Sequence, residues 1–319
     1  MMFQHDLPFD PTYGYNEAAL RQVGASLGPP DFADFWQDLN ARTRAIAPRP
    51  TLREIATPNH SDVKTYEIEY DSLDGFRVGG WITVPIDRTP RHGMVVGHGY
   101  GGREAPAYGP VFANAVAIFP CGRGFHRSAR PDLPDNGARH VLYGIESRDT
   151  YLHGKCVADF WAAMNVLNEL HPDLPTIHYF GSSFGGGIGA MALPWDTRLA
   201  RAFLEVPSFG NHPLRLTMQC NGSGEAVRLY HQRHPEVVDV LQYFDSATAA
   251  LHTHIPTLVS AALFDPAVPP PGQFAVHNAL AGRKKLFVRQ AGHFTYPDEA
   301  AEYQAVEREI VAWFGDELV

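Results

Sequence analysis

Residues 176–187 read TIHYFGSSFGGG and combine a short apolar run with a Gly-x-Ser-x-Gly turn. The β-branched and aromatic residues before Gly181 are typical of a buried strand. The apolar residues between Ile188 and Leu193 then form the stripe of a helix. A serine at such a strand-to-helix turn, here Ser183, has strained backbone dihedrals and projects its hydroxyl above the sheet. The stretch therefore predicts an exposed serine between a buried strand and a helix.

The residues around this serine also suit a nucleophile. Side chains at Gly181 or Gly185 would collide with the neighbouring strand and helix, so both positions favour glycine. The backbone N–H of Phe184 points to the same place as the serine hydroxyl and can stabilise an oxyanion. Because a strand precedes the motif and a helix follows it, we interpret Ser183 as a nucleophile and not as an idle serine in a glycine-rich turn.

Composition argues against several classes of protein. The chain has 319 residues, 45% of them hydrophobic, and a net charge of −9, which disfavours nucleic acids and anionic membranes as partners. No stretch approaches the ~18 apolar residues of a membrane span. Residues 1–10 lack the basic residues and the apolar run of a secretory signal. Cys121, Cys156 and Cys220 have no metal-ligand spacing, so we expect reduced cysteines and a cytoplasmic enzyme.

Strand and helix patterns alternate along the chain. We predict one α/β domain over residues 1–319 with the α/β-hydrolase fold, in which a mostly parallel central sheet has helices on both faces. Its subsidiary parts are an N-terminal arm and helix over residues 1–50 and a small helical, cap-like insertion over residues 207–250. The predicted strands are residues 64–70, 76–84, 93–98, 115–119, 176–180, 202–206, 256–263 and 285–289. The last helix is expected to bury Tyr303, Val306, Ile310 and Trp313.

A serine hydroxyl is a poor nucleophile at pH 7 and needs a base, whose tautomer a third group must fix. In this fold the three groups follow in the order serine, acid, histidine, each after a strand. Asp265 follows the strand at 256–263, and His293 follows the strand at 285–289. Because parallel strands end at the same edge of a sheet, we predict a triad of Ser183, Asp265 and His293. Activity should fall as His293 becomes protonated, below about pH 6 to 7 for an unperturbed imidazole.

Other histidines and acids are weaker candidates for these roles. The chain has 16 histidines, so a histidine downstream of a serine is weak evidence by itself. His252, His254 and His277 lie before a strand or inside a helix and would face the wrong way. Glu205 follows an earlier strand and is the rival acid, although we favour its interpretation as a buried or rim carboxylate.

A metal site has only a partial pattern. His231 and His234 have a His-x-x-His spacing, but no third ligand at a recognised spacing completes it. We interpret these two residues as part of a solvated helix face, and we predict neither a metal nor a cofactor.

The loop after the strand at 93–98 offers a second oxyanion donor. Folds of this kind take that donor from this loop, and the N–H of Tyr100 is our choice. Loss of one such donor raises the barrier by roughly 3 kcal/mol. We interpret His98, at the start of the loop, as a structural hydrogen-bonding residue.

Short motifs of one known set are spread over nearly the whole chain. They are Asp31-Phe32-Ala33-Asp34-Phe35-Trp36, His98-Gly99-Tyr100, Arg123-Gly124, Gly181-Ser182-Ser183-Phe184-Gly185-Gly186, Val206-Pro207, Leu241-Gln242-Tyr243-Phe244-Asp245, Asp265, Pro269-Pro270, Phe274-Ala275, Asn278 and Gly292-His293. The set resembles the motifs of the carbohydrate esterases of family seven, which are acetylxylan esterases and cephalosporin C deacetylases. The resemblance implies that Ser183, Asp265 and His293 are the triad, with the N–H groups of Tyr100 and Phe184 as the oxyanion hole. The family's ring-shaped hexamers, whose active sites face an internal chamber, imply a homo-oligomer such as a hexamer.

Three polar positions of the family pattern are phenylalanine in this chain. The family's Arg-Gly-Gln is Arg123-Gly124-Phe125, its Gly-x-Ser-Gln-Gly has Phe184, and its His-Glu is His293-Phe294. The oxyanion donor at residue 184 is a backbone N–H, so the mechanism can survive the change. We expect a more apolar substrate pocket, with Arg123, Phe125, Pro207 and Phe294 among its residues.

These residues together predict a serine esterase that removes small acyl groups, acetyl above all, from a sugar or related alcohol. Its substrate would be a small-molecule ester or an acetylated oligosaccharide. The alternatives are another acyl hydrolase of the same fold, namely a longer-acyl esterase, a thioesterase or a peptidase, and a binding protein without catalysis. The presence of a candidate nucleophile, acid and base argues against the last of these.

Overall fold

The computed structural model describes residues 3–57 and 59–315. Within these residues nine strands form a single sheet, and short 3-10 turns and helices connect them. The strands are β1 (Thr51–Ile55), β2 (Val63–Asp71), β3 (Arg77–Pro85), β4 (His92–Gly97), β5 (Ala115–Pro120), β6 (Ile177–Ser182), β7 (Leu199–Glu205), β8 (Thr257–Ala262) and β9 (Lys284–Arg289).

The helices of the described residues fill the segments between the strands. The α-helices are α1 (Glu17–Leu20), α2 (Phe32–Arg44), α3 (Gly137–His140), α4 (Leu152–Leu170), α5 (Phe184–Ala192), α6 (His212–Arg215), α7 (Ser223–His231), α8 (Val238–Leu241), α9 (Ser246–Ala250), α10 (Pro270–Ala279) and α11 (Glu299–Gly315). The 3-10 helices are Leu73–Gly75, Pro110–Phe112, His126–Ser128, Leu193–Trp195, Pro235–Val237 and Gln242–Phe244. None of the described helices combines the length and the apolar character that a membrane crossing requires.

The sheet is mostly parallel, as predicted. Its strand order is β1-β2-β3-β5-β4-β6-β7-β8-β9. The pairs β1–β2, β2–β3 and β3–β5 are antiparallel, and every pair from β5 to β9 is parallel. In the centre, Gly97 of β4 lies opposite Gly181 of β6. The carboxyl ends of β4, β6, β8 and β9 therefore share one edge, where the loops carrying the predicted site residues begin.

Helices cover both faces of the sheet, which is also as predicted. The side chain of Val95 packs into the larger core, which α4 and α5 cover. Its neighbours in β4, Met94 and Val96, point to the opposite face and pack into a second core with α11. This alternation follows from the period of two along a strand. A near-continuous apolar strand such as β4 is what a sheet covered on both faces requires.

Two details of the predicted elements are wrong. Tyr303 of α11 is 47% exposed and not inward, whereas Val306, Ile310 and Trp313 are buried as expected. The ring of Tyr303 instead lies under the guanidinium of Arg289, 4.2 Å from its centroid. The edge strand β1 was missed because its side chains are exposed along almost its whole length and show no alternation.

The N-terminal arm and the 207–250 segment both reach the edge of the sheet where the predicted site lies. The carbonyl of Pro11 accepts a hydrogen bond from the N–H of Asp265 at 3.2 Å. The hydroxyl of Tyr13 donates to the carbonyl of Gln219 at 2.7 Å. The 207–250 segment contains α6 to α9, and α9 packs against α5 and α10. The single-domain interpretation of residues 1–319 stays a prediction.

Candidate active site

Ser183 lies at the sharp turn between β6 and α5. Its dihedrals are φ 53° and ψ −112°, in a region that non-glycine residues rarely adopt. Strain of this kind costs about 1–3 kcal/mol and persists only where the surroundings hold it. Here the Ser183 N–H donates to the carbonyl of Glu205 at 2.8 Å, and the Ser183 carbonyl accepts from Ser208 N–H at 3.1 Å. The backbone of the next strand therefore holds the serine in its strained conformation.

The two glycines of the turn have the steric role that the sequence predicts. A Cβ at Gly181 would lie 2.5 Å from the carbonyl oxygen of Gly185. A Cβ at Gly185 would lie 2.7 Å from the backbone carbon of Gly97 and 2.8 Å from the oxygen of His98. The first turn of α5 can approach β4 this closely only because these side chains are absent.

The structure brings Ser183, His293 and Asp265 into one hydrogen-bonded chain. His293 Nε2 lies 3.0 Å from Ser183 Oγ, and His293 Nδ1 lies 2.8 Å from Asp265 Oδ2. Because an ionised carboxylate can only accept, the imidazole donates from Nδ1 and leaves Nε2 free to accept the serine proton. The three residues come from the ends of β6, β8 and β9. Ser183 lies 110 positions and Asp265 lies 28 positions before His293 in the sequence.

The carboxylate of Asp265 is completely buried and held by several donors. Its Oδ1 accepts from the N–H groups of Ala267 and Val268, both at 2.9 Å. Its Oδ2 accepts from Gln273 Nε2 at 2.9 Å as well as from His293. Any side chain at Gly292 would collide with Oδ2. These contacts orient one carboxylate oxygen toward the imidazole.

Gln273 was missed in the sequence, although it carried a detectable signal. It is a completely buried polar residue in α10, a helix whose other inward residues are apolar or small. Its Oε1 accepts from the N–H of Ala262 at 2.8 Å, which sets the amide so that Nε2 faces Asp265. A glutamine among the inward residues of a helix that follows the predicted acid could have been proposed as its partner.

The pKa of His293 is raised above its ordinary value of 6.5. Partial burial of the imidazole opposes protonation, but the charge of Asp265 and its hydrogen bond outweigh this effect. The charge of Glu205 raises the pKa further, and the charge of Arg289 lowers it. Glu205 itself pairs with Arg289, at 2.8 Å from Oε1 to Nη1, and makes no hydrogen bond to His293 among the described residues. The rival acid is therefore a partner of a buried arginine.

We expect kcat/KM for p-nitrophenyl acetate to fall on the acid side with a midpoint above pH 6.5. The base must be neutral, so activity is present above the pKa of His293 and is lost as the pH falls through it. In Glu205→Gln the midpoint should move to lower pH, because the negative charge of Glu205 is lost while the positive charge of Arg289 remains. Initial rates from pH 5 to 9 measure both profiles. A wild-type midpoint well below 6.5, or an upward shift in the variant, would contradict this account.

The two N–H groups predicted to form an oxyanion hole, those of Phe184 and Tyr100, have no backbone hydrogen-bond partner among the described residues. Phe184 is the first residue of α5, so its N–H has no partner within the helix. The N–H of Tyr100 makes no backbone hydrogen bond to the described residues. A Cβ on Gly99 would lie 3.5 Å from the Cβ of Ser183, so the Gly99–Gly101 loop passes directly over the serine.

His98 holds this loop through its two ring nitrogens, which agrees with the structural hydrogen-bonding role predicted for it. Its Nε2 accepts from the N–H of Gly122 at 2.8 Å, so its Nδ1 carries the proton and donates to the carbonyl of Gly99 at 2.6 Å. Burial lowers the pKa of His98 to about 4, with the nearby charge of Arg103 acting in the same direction. The imidazole is therefore neutral at pH 7 and keeps both hydrogen bonds.

A cavity of about 290 Å³ opens beside the serine. The residues on its wall include Gly99, Tyr100, Ser183, Arg215, Ser223 and His293. Two of them, Arg215 and Ser223, come from the predicted insertion at 207–250. None of the three phenylalanines predicted for the pocket is on this wall.

The three phenylalanines pack into the protein and away from this cavity. Phe184 is 1% exposed and stacks on the ring of Tyr100, with 4.3 Å between centroids. Phe125 is 3% exposed and packs against His140, 4.9 Å away. Phe294 contacts Phe264 at 4.9 Å in a small separate cluster. Phe184 and Phe125 thus pack beneath Tyr100, Phe294 packs against Phe264, and none of the three is on the wall of the cavity.

Arg123 and Pro207 also lie outside this wall. Arg123 is 3% exposed, and its guanidinium donates to both oxygens of Asp159, at 2.9 Å from Nε to Oδ2. Asp159 lies in α4 and also accepts from the hydroxyl of Ser72 at 2.6 Å. Pro207 packs against Gly186 in the turn after β7. We therefore do not assign these two residues, or the three phenylalanines, to substrate contacts.

The alternative histidines lie apart from the serine. His252 stacks on Phe32 with 5.7 Å between centroids, and His277 Nδ1 lies 3.2 Å from the side chain of Asn278. His234 lies 3.4 Å from the carboxylate of Glu236. The described residues contain no group of three or more His, Cys, Asp or Glu side chains that could hold a metal ion.

Comparison with known proteins gives a family and a set of related structures. Residues 2–313 match the family model described as acetyl xylan esterase (AXE1). No curated protein matches the sequence. Two acetyl xylan esterase structures align with a TM-score of 0.78. The one from Paenibacillus sp. R4 is 22% identical, covering 93% of this chain and 99% of that chain. The one from Thermoanaerobacterium sp. JW/SL YS485 is 19% identical, covering 95% and 99%.

More distant structures share the fold alone. An acylaminoacyl peptidase from Pyrococcus horikoshii aligns with a TM-score of 0.62 at 13% identity, covering 83% of this chain and 44% of that chain. At such identities these likenesses show the α/β-hydrolase fold and nothing about the substrate.

Proposed function

We propose a catalytic triad of Ser183, His293 and Asp265 for this chain, which belongs to the acetyl xylan esterase family and is a carboxylic-ester hydrolase. The observation that supports this most strongly is the continuous hydrogen-bonded chain from Ser183 Oγ through His293 to Asp265. A nucleophile needs a base within hydrogen-bond reach, and a base needs a group that fixes its tautomer. Both contacts are present at 3.0 Å and 2.8 Å.

The reaction then has two steps on Ser183. In the first, His293 Nε2 removes the hydroxyl proton while Oγ bonds to the ester carbonyl carbon. The resulting oxyanion accepts from the N–H groups of Tyr100 and Phe184. The imidazolium, stabilised by Asp265, then protonates the alcohol oxygen as its bond to carbon breaks, and an acyl-serine remains.

Water completes the cycle. His293 removes one proton from a water molecule as its oxygen bonds to the acyl carbon. The second tetrahedral adduct collapses when the imidazolium returns that proton to Ser183 Oγ, and the carboxylic acid leaves. The chain's own residues carry every proton transfer in this scheme, and the strained turn at Ser183 keeps Oγ presented to the cavity.

The substrate that we propose is an acetyl ester of a sugar or of a related alcohol. The family membership supports the acetyl group and an acetylated sugar. The wall of the 290 Å³ cavity includes the side chains of Arg215 and Ser223, which can hydrogen-bond to an alcohol half. Cephalosporin C, an acetyl ester of a different alcohol, is a further proposed substrate, and its support is the sequence resemblance alone.

Acetate release from a substrate panel tests this function. We expect release from acetylated xylo-oligosaccharides and simple acetates, with kcat/KM falling as the acyl chain lengthens from acetyl to octanoyl. Ser183→Ala provides the blank for each substrate. A preference for octanoyl esters, or hydrolysis of peptides faster than acetates, would contradict the proposed substrate class. We also propose a homo-oligomer such as a hexamer, from the resemblance alone, and light scattering after gel filtration measures its mass.

A further inference from the structure

A buried arginine lies on the wall of the candidate active site. Arg215 is the last residue of α6, and its side chain lines the same cavity as Ser183 and His293. Only 6% of the residue is exposed. A guanidinium group stays protonated at any physiological pH, so this wall of the cavity carries a permanent positive charge.

Arg215 has no counter-ion among the described residues. It takes part in none of their ion pairs, and its Nε has no hydrogen-bond partner. Its hydrogen-bonding contact is from Nη1 to His212 Nδ1, at 3.5 Å. An imidazole is neutral or positively charged, so His212 supplies no negative charge. Its Nε2–H donates to the carbonyl of Phe244, which leaves Nδ1 to accept from Arg215. The remaining support is the face of the Phe209 ring, 5.5 Å from the guanidinium.

The carboxylates of the surrounding segments already accept hydrogen bonds from other groups. Asp245 accepts backbone N–H groups at both of its oxygens, including that of His212 at 2.6 Å. Glu225 pairs with Arg228 at 2.6 Å. Asp265 is bound by His293 at 2.8 Å and by the donors described above. A buried charge without a partner is costly, so its retention in a reaction cavity points to a partner that arrives with the substrate.

A second positive feature faces the same part of the cavity. Gly222 and Ser223 begin α7 and lie on the cavity wall. A side chain at Gly224 would collide with Arg215 Nη2, so the guanidinium lies against the first turn of this helix. The free N–H groups of a first turn and the helix dipole both favour an anion. The two features repel each other, and a negatively charged group between them would relieve that repulsion.

We propose that the natural ester carries a carboxylate, and that Arg215 binds this group while Ser183 attacks the ester of the same molecule. This inference rests on the proposed esterase function and narrows its substrate class. Arginine suits the role because its planar donors match the two oxygens of a carboxylate. A site built to bind a polar group discriminates strongly against substrates that lack it.

Matched pairs of esters, in which one member carries a carboxylate and the other a neutral group in its place, test the proposal. With the carboxylate in the alcohol half, 4-acetoxybenzoate is compared with 4-acetoxybenzamide. With the carboxylate in the acyl half, p-nitrophenyl hydrogen succinate is compared with p-nitrophenyl butyrate. We expect the wild-type enzyme to prefer the anionic member of at least one pair by about 10- to 100-fold in kcat/KM, mainly through KM. The pair that responds identifies the half of the substrate that carries the charge.

The variants are Arg215→Met, which keeps an unbranched side chain without the charge, and Arg215→Lys, which keeps the charge without the planar donors. Arg233→Met is the matched control, since Arg233 is an exposed arginine just after α7. We expect the preference to disappear in Arg215→Met, to persist in part in Arg215→Lys and to remain complete in Arg233→Met. Because the readout is a ratio within a pair, a general loss of activity cancels.

The outcomes separate this inference from the function on which it rests. If the wild-type enzyme hydrolyses neutral acetates without preferring either anion, the carboxylate proposal is overturned and the esterase proposal stands. If Arg215→Met keeps the wild-type preference, another residue binds the charge. If Arg215→Met fails to fold, inhibition of the wild-type enzyme by benzoate against benzamide gives the same comparison, and equal inhibition by the two would also overturn it. Failure to hydrolyse any acetate would count against the function itself.

Discussion

Replacement of Ser183 by alanine is expected to lower kcat for p-nitrophenyl acetate by roughly 10⁶-fold, the order of magnitude found when a serine nucleophile is removed. The reason is that Oγ forms the bond to the acyl carbon, and no other hydroxyl of the described residues lies within hydrogen-bond reach of His293 Nε2. Stability should change little. Two backbone hydrogen bonds hold the strained turn, from the Ser183 N–H to the Glu205 carbonyl and from the Ser208 N–H to the Ser183 carbonyl. Neither involves the side chain of Ser183. Initial rates and urea unfolding measure the two effects.

Ser182→Ala is the matched control, because Ser182 precedes the nucleophile directly and its hydroxyl makes no hydrogen bond to His293. We expect its rate to stay within tenfold of wild type. A fluorophosphonate probe should label wild type and Ser182→Ala but not Ser183→Ala. Near-normal turnover by Ser183→Ala, or labelling of that variant at the wild-type rate, would show that another group is the nucleophile.

Replacement of Asp265 by asparagine should have the next largest effect, a loss of about 10⁴-fold in kcat. Every contact of the carboxylate is with a donor. Its Oδ1 accepts from two backbone N–H groups and its Oδ2 from Gln273 and His293. An amide NH₂ in either orientation therefore meets donors. If the amide NH₂ faces His293, the imidazole must accept at Nδ1 and carry its proton on Nε2. Nε2 can then no longer accept the proton of Ser183.

The paired variant for this test is Gln273→Glu. It keeps the shape of Gln273 but places a second carboxylate beside Asp265. The added negative charge should raise the pKa of His293 and shift the acid limb of the pH profile to higher pH. Asp265→Asn should instead lower the plateau at every pH. If Asp265→Asn kept a tenth of the wild-type rate while Glu205→Gln abolished activity, the acid would be Glu205 and the proposed triad would be wrong.

Much of the fold could be predicted because its determinants are local or depend on chain order. The β-branched and apolar residues of β4, β6 and β8 can be buried only in a sheet covered on both faces, and the glycines around Ser183 allow only a close strand-to-helix turn. The order of serine, acid and histidine, each after a strand, then placed three loops at one edge of the sheet. The edge strand β1 was missed because exposed residues leave no periodic pattern.

The lining of the cavity could not be predicted, because the direction of a side chain depends on what packs beside it. Phe125, Phe184 and Phe294 replace polar residues of the family pattern, and the resemblance suggested that they line the pocket. In the folded chain they fill space under Tyr100 and against Phe264 instead. Arg123 likewise turned away from the site, toward a carboxylate 36 positions further along the chain.

The sequence by itself determined the strained turn at Ser183, the order of the proposed catalytic groups and the mostly parallel sheet, since each follows from short-range sterics or from the path of the chain. Only the tertiary structure decided which polar groups are buried, and with which partners. It placed Gln273 behind Asp265 and left Arg215 without a counter-ion in the cavity. A buried charge takes its meaning from the groups that surround it, and those groups come from segments that only folding brings together.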